Sequence, residues 1–186
     1  NSGATAPEWH TPAVASSDFV KLGGGTVTSG SQFQIDGYFS STYQTFKLYL
    51  SGVQAWHKMR FRFAGSDYSS GNYIWIINYS AQNSSGNTNS ATGGWNHTEL
   101  PISYWSGDSA DEHHHAEVTF QKPWDASSRA KAIQVTAMNY DSSSIHIQTG
   151  AGYLDSQKYD SAMTGVTVFT ASGSMSDTTW EIYGIK

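Results

Sequence analysis

HKMRFRFAG, residues 57–65, alternates without a break. Met59, Phe61 and Phe63 fall on one side, and Lys58, Arg60 and Arg62 on the other. Successive side chains of a strand point to opposite faces, so this segment predicts a half-buried antiparallel strand with a charged outer face. The same period runs through TFKLYLSG (45–52), which opposes Phe46, Leu48 and Leu50 to Lys47 and Tyr49. SQFQIDGYF (31–39) opposes Phe33 and Ile35 to Gln32 and Gln34. Near the C-terminus Val166 and Val168 share a face, as do Trp180, Ile182 and Gly184.

Composition points the same way. Aromatic residues make up 14% of the 186 residues, and 18 glycines join Ser, Thr and Asn in clusters between the alternating runs. β-Branched and aromatic runs cut by such clusters are the pattern of many short strands. The expected fold is all-β: an antiparallel two-sheet sandwich, jelly-roll-like, with roughly ten strands. Residues 1–17, with two prolines and small polar residues, read as a leader or linker from an upstream segment, and 18–186 as a single β-sandwich domain. Within it, GGG (23–25) reads as a turn, and AIQVTAM (132–138) pairs with SIHIQTG (144–150). Residues 164–186 read as a terminal hairpin. NYIWIINYS (72–80) is apolar on both faces, which suits a central strand covered on both sides, by its own core or by a symmetry mate. AQNSSGNTNSATGGWNH (81–97) reads as a long polar loop.

Several function classes drop out. Charged residues are 13% of the chain with a formal net charge of −5, and no basic stretch exists to track a phosphate backbone. Nucleic acid is therefore not an expected partner. No run of about 18 apolar residues is present, so membrane insertion is not expected either. There are no cysteines. The chain starts at Asn1 without a visible signal peptide, which reads as a fragment or a processed chain. Neither a Gly-x-Ser-x-Gly elbow nor a His-Glu-x-x-His motif occurs, and no enzyme activity or required cofactor is expected.

Two groups of residues carry candidate chemistry. Trp95 in TGGWNH, Trp105 in SYWSGD, Trp124 in KPWDAS and Tyr153 in GAGYLD are aromatic residues flanked by Gly, Ser, Asn or Asp. A flat apolar face beside amides and carboxylates is what sugar recognition needs, because C–H faces stack while hydroxyls find hydrogen-bond partners. The competing reading is that these rings cap the ends of the sandwich core. The second group is SADEHHHAEVTF (109–120). On a strand, His113 and His115 share one face and His114 takes the other. On a helix capped by Ser109 and Glu112, adjacent histidines splay apart and cannot share a metal. The plain alternative is a solvated start of a strand.

FTASGSMSDTTWEIYGIK (169–186) ends flush on a strand, closing with Tyr183, Gly184, Ile185 and Lys186. It resembles the C-terminal ending of tailed-bacteriophage virion proteins of tail fibres, tail spikes and head appendages, which commonly close on YGIK or YGLK. GYFSSTYQTFKLYLSGV (37–53) and MRFRFAGSDYSSGNY (59–73) look like further segments of that family, so the resemblance covers about residues 18–186. It implies a β-sandwich on a viral appendage, outside the host cell, homotrimeric and next to other virion proteins. It transfers no catalytic motif. In such a trimer, three His113 and His115 pairs on the axis would offer six nitrogens to a divalent transition metal. The expectation is a non-enzymatic virion protein, tail fibre or other appendage, that contacts a host-surface receptor such as a polysaccharide. A purely structural head-decoration or collar fibre domain is the first alternative, and a carbohydrate-binding module of a secreted protein the second.

Overall fold

The computed structural model describes residues 18–53, 57–103, 113–127, 131–141, 143–155, 160–171 and 173–186. The segment 1–17 lies outside them. The described residues form thirteen strands. These are β1 (Phe19–Val27), β2 (Gln32–Asp36), β3 (Thr45–Val53), β4 (His57–Phe63), β5 (Ser66–Asp67), β6 (Tyr73–Asn83) and β7 (Gly86–His97). They continue with β8 (Leu100–Pro101), β9 (His113–Gln121), β10 (Lys131–Asp141), β11 (Ser144–Leu154), β12 (Gly165–Thr170) and β13 (Ser176–Ile185).

The strands make an antiparallel sandwich of jelly-roll type, as the alternation predicts. One sheet has eight strands in the order β1-β13-β3-β9-β10-β11-β6-β7. The other has five, in the order β2-β12-β4-β5 with β8 paired to β4. Phe46, Leu48 and Leu50 of β3, Val118 and Phe120 of β9 and Ile182 of β13 point inward from the large sheet. They join one core with Met59 and Phe61 of β4, Val166 and Val168 of β12 and Ile35 of β2. Each large apolar side chain so buried contributes about 1.5–3 kcal/mol of transfer free energy.

Four expectations need correction. Residues 23–25 are not a turn: they lie inside β1 and pair with β13 after a bulge between Lys21 and Gly23. Glycine is required there by close approach, since a Cβ at Gly24 would meet the Trp180 carbonyl oxygen at 2.9 Å and one at Gly23 the Tyr38 ring. Residues 81–97 are not a loop but the end of β6 and all of β7, a polar hairpin whose outer strand is the sheet edge. Backbone pairing holds it, with almost no burial to leave a hydrophobic period in the sequence. The C-terminal segment is not a hairpin: β12 pairs with β2 and β4 in the small sheet, whereas β13 pairs with β1 and β3 in the large one. Finally, Arg62 keeps the outward parity of Lys58 and Arg60 but is not a solvated charge. It is 6% exposed and forms ion pairs with Asp36 and Asp67, at 2.9 and 2.5 Å.

β6 is one strand in from the edge, and its two apolar faces differ. Tyr73 and Ile77 are buried in the sandwich, while Ile76 on the outer face is exposed.

Candidate functional site

The outer face of the eight-stranded sheet is open, and its two ends are built differently. At one end five strands contribute to a single cleft of about 620 Å³. Trp95 and Gly93 come from β7, Ile76 from β6, Tyr153 from β11, Gln134 from β10 and Gln121 from β9. Trp95 is 75% exposed, the most exposed of the large hydrophobic side chains among the described residues. Its aim follows from local geometry. Tyr73 pairs with His97 but Trp75 pairs with Gly94, so β7 carries one extra residue opposite Ile74. Such a bulge re-aims a side chain, and Asn96 absorbs the bend at φ 58°. Gly93 keeps the floor low: a Cβ there would meet the Trp75 carbonyl oxygen at 2.9 Å. Beneath the cleft, Ile133 and Leu154 face inward and are buried in the apolar core.

At the other end the alternation inverts. Ile145 and Ile147 of β11 point outward at 50% and 55% exposure, while Ser144, His146 and Gln148, which alternate with them, are buried. Across the sheet, Ile147 pairs with Met138, and Met138 with His115; Ile145 pairs with Tyr140, and Tyr140 with His113. This leaves an aliphatic patch flanked by two exposed histidines. The three consecutive histidines thus lie on a strand, His113 and His115 outside and His114 inside. Among the described residues of one copy, no three side chains of metal-ligating type come together as a metal-binding group.

His114 lies below the patch, 1% exposed, with its ring centroid 4.0 Å from that of His57 of β4. It pairs across the sheet with Asn139, which pairs with His146. Among the described residues neither nitrogen of His114 and neither amide atom of Asn139 has a hydrogen-bond partner. Burial, reinforced by the neighbouring His57, His115 and His113, pushes the His114 imidazole down to about 2. It is a neutral core histidine.

The sequence candidates separate cleanly. Trp95 and Tyr153 meet at one cleft. Trp124 is elsewhere, packed against the core with its indole N–H donating to the Tyr43 carbonyl at 2.7 Å. Trp105 lies outside the described residues. Gln121, Gln134 and Ile76 were not legible as site residues, because their only signal is an outward parity on strands whose partners the sequence does not name.

A second cleft of about 440 Å³ begins at the aliphatic end, at Met138, Ile147 and His115, and is also lined by Glu117 and Glu181, both flanking Tyr49. Paired carboxylates invite comparison with glycoside cleavage, which needs one of them to hold a proton. Burial alone would raise the Glu117 carboxyl, but hydrogen bonds from Lys47 and Tyr49 outweigh it and hold it below the usual range. Hydrogen bonds from Lys21 and Tyr183 lower Glu181 as well. Two ionised carboxylates supply no general acid.

No protein-family model matches the chain, and no curated protein matches it in sequence. Among solved structures it is similar to an exo-inulinase from Aspergillus awamori, at 10% identity and a TM-score of 0.36 over 90% of this chain. The chain spans 30% of that enzyme's length. It is similar to a tetrameric galectin from the ball sponge Cinachyrella sp., at 8% identity and a TM-score of 0.33, covering 83% of this chain and 98% of the galectin. The VP2 subviral particle protein of infectious bursal disease virus matches at 11% identity and a TM-score of 0.18, over all of this chain and 46% of the viral one. Likenesses this distant carry no functional information.

Proposed function

We propose that this chain is a non-enzymatic, extracellular appendage domain of a bacterial virus that contacts a host-surface glycan through the Trp95 cleft. One observation carries the glycan contact. Trp95, aimed outward by a bulge, stands with Tyr153 over a cleft lined by side-chain amides and small residues. Aromatic faces take sugar C–H faces, and the amides of Gln121 and Gln134 both donate and accept hydrogen bonds. The resemblance of residues 37–53, 59–73 and 169–186 to phage virion proteins supports the appendage. The test is binding of the purified chain to immobilised bacterial polysaccharides, repeated with Trp95→Ala and Tyr153→Ala. Loss in both variants supports the reading; undiminished binding in both refutes it.

A second reading is favoured by the aliphatic end. Met138, Tyr140, Ile145 and Ile147 form an apolar patch of the kind that marks protein contacts. On that reading the domain is purely structural, its outer face is covered by further copies in a homotrimer, and no host ligand is bound.

A further inference from the structure

We infer that the Trp95 cleft takes a linear, uncharged oligosaccharide several rings long, laid across the strands rather than along them. This rests on the glycan reading above and narrows it to a ligand class. The first support is charge. None of the described residues that line the cleft carries a charge. On the same face Lys47 is committed to Glu117 and Lys21 to Glu181. A carboxylate, sulfate or phosphate on the ligand would lose water in the cleft and meet no cation among the described residues that line it. An uncharged sugar loses only hydroxyl hydration, which the amides of Gln121 and Gln134 and the hydroxyl of Thr119 replace.

The second support is shape. The lining residues come from β7, β6, β11, β10 and β9, which are consecutive in the sheet. Four interstrand spacings of roughly 4.8 Å make the cleft about 19 Å long, more than one sugar ring occupies. Its two ends differ: Trp95 offers a stacking platform at the sheet edge, and Gln134 and Gln121 offer hydrogen bonds three and four strands away. Ala132 and Ala151 keep the middle shallow. Because β7 is the last strand, the cleft is open at Trp95 and the sugar chain can continue past it.

The experiment is calorimetry on the intact chain with glucose, mannose and N-acetylglucosamine oligomers of one to six rings. Alginate and heparan sulfate serve as anionic polymers. The variants are Gln134→Lys and Gln134→Glu. Affinity is expected to rise about tenfold or more from one ring to four and then level off. Binding is expected to change less than about twofold between roughly 0.05 and 0.5 M salt. The two variants should weaken it alike, within about threefold, because no ligand charge senses the added one. A single ring binding as well as six rings overturns the extended ligand and leaves the glycan reading intact. Anionic polymers binding with steep salt dependence, strengthened by Gln134→Lys and weakened by Gln134→Glu, overturn the uncharged class and again leave that reading intact. A folded chain that binds none of these probes overturns both.

Discussion

The two ends of the large sheet are inverted with respect to each other. Around Trp95 the outer face is aromatic and amide-bearing while the layer beneath it is mainly apolar, with Ile133 and Leu154 buried and one buried cation, Lys131, that donates to the Asp125 carbonyl. Around Ile147 the outer face is aliphatic while the layer beneath holds His114, Asn139, His146 and Gln148. One ladder serves both ends, since β10 and β11 stay in register from Lys131 opposite Leu154 to Asp141 opposite Ser144. A strand cannot change faces without a bulge, so the register that buries Ile133 and Leu154 forces Ile145 and Ile147 outward. The difference teaches that the apolar end of a strand pair can be the exposed one. Local conflicts of this kind concentrate where a surface has work to do.

Acid should act on the inverted end with the largest effect. The His114 imidazole titrates near 6.5 in an unfolded chain and is pushed down to about 2 in the fold. The unfolded state therefore binds a proton that the native state refuses. Stability is at its full value above pH 6.5 and falls as pH drops toward 2, by about 1.4 kcal/mol per pH unit. His57 across the sheets and His146 two strands away share that buried layer. Urea melts at pH 7 and pH 5 should show this loss of roughly 2 kcal/mol, and His114→Leu should flatten the profile. A slope unchanged in His114→Leu would move the acid sensitivity to another group.

The Trp95 end sharpens the comparison at a similar scale. Trp95→Ala is expected to weaken saccharide binding about 30-fold, worth about 2 kcal/mol, with an unchanged melting temperature because the ring is exposed. A drop in melting temperature would instead make Trp95 a structural residue. Ile147→Glu is expected to do the reverse. It should lower the solution mass from three times 20.3 kDa toward 20.3 kDa by light scattering, with saccharide binding retained. A single-chain mass for the unaltered protein would remove the trimer. The smallest expected effect is that of a chelator, which should leave the mass unchanged. A trimer that falls apart with chelator would make His113 and His115 metal ligands across copies.

How much of this the sequence discloses depends on where burial and period agree. Phe46, Leu48, Leu50, Met59, Phe61 and Ile182 read correctly as core because each alternates with less buried neighbours, and Val166 and Val168 read so by period although Thr167 between them is buried as well. Residues 81–97 read as a loop because β7 buries nothing; ladder hydrogen bonds leave no pattern in side-chain type. The glycines at 23–25 carry the same residue type as a turn but serve close packing on Trp180 and Tyr38. In the candidate site, Trp95 and Tyr153 were legible as aromatic residues among turn formers. Gln121 and Gln134 were not, because their meeting depends on strand order. His57 was legible in hindsight, sharing the parity of Met59 and Phe61 in HKMRFRF.

The Lys186 N–H donates to the Asp18 carbonyl at 3.1 Å, with Phe19 beside Ile185 on the outermost ladder. Both ends of the described fold therefore leave from one corner of the β1 edge, and β7 with Trp95 is the opposite edge, seven strand spacings or about 34 Å away. A pull transmitted through both of those ends would peel β1 from β13 one hydrogen bond at a time, as a zipper opens. The load would reach the ladder of β6 and β7 last, so the Trp95 edge would keep its geometry while the β1 edge yielded.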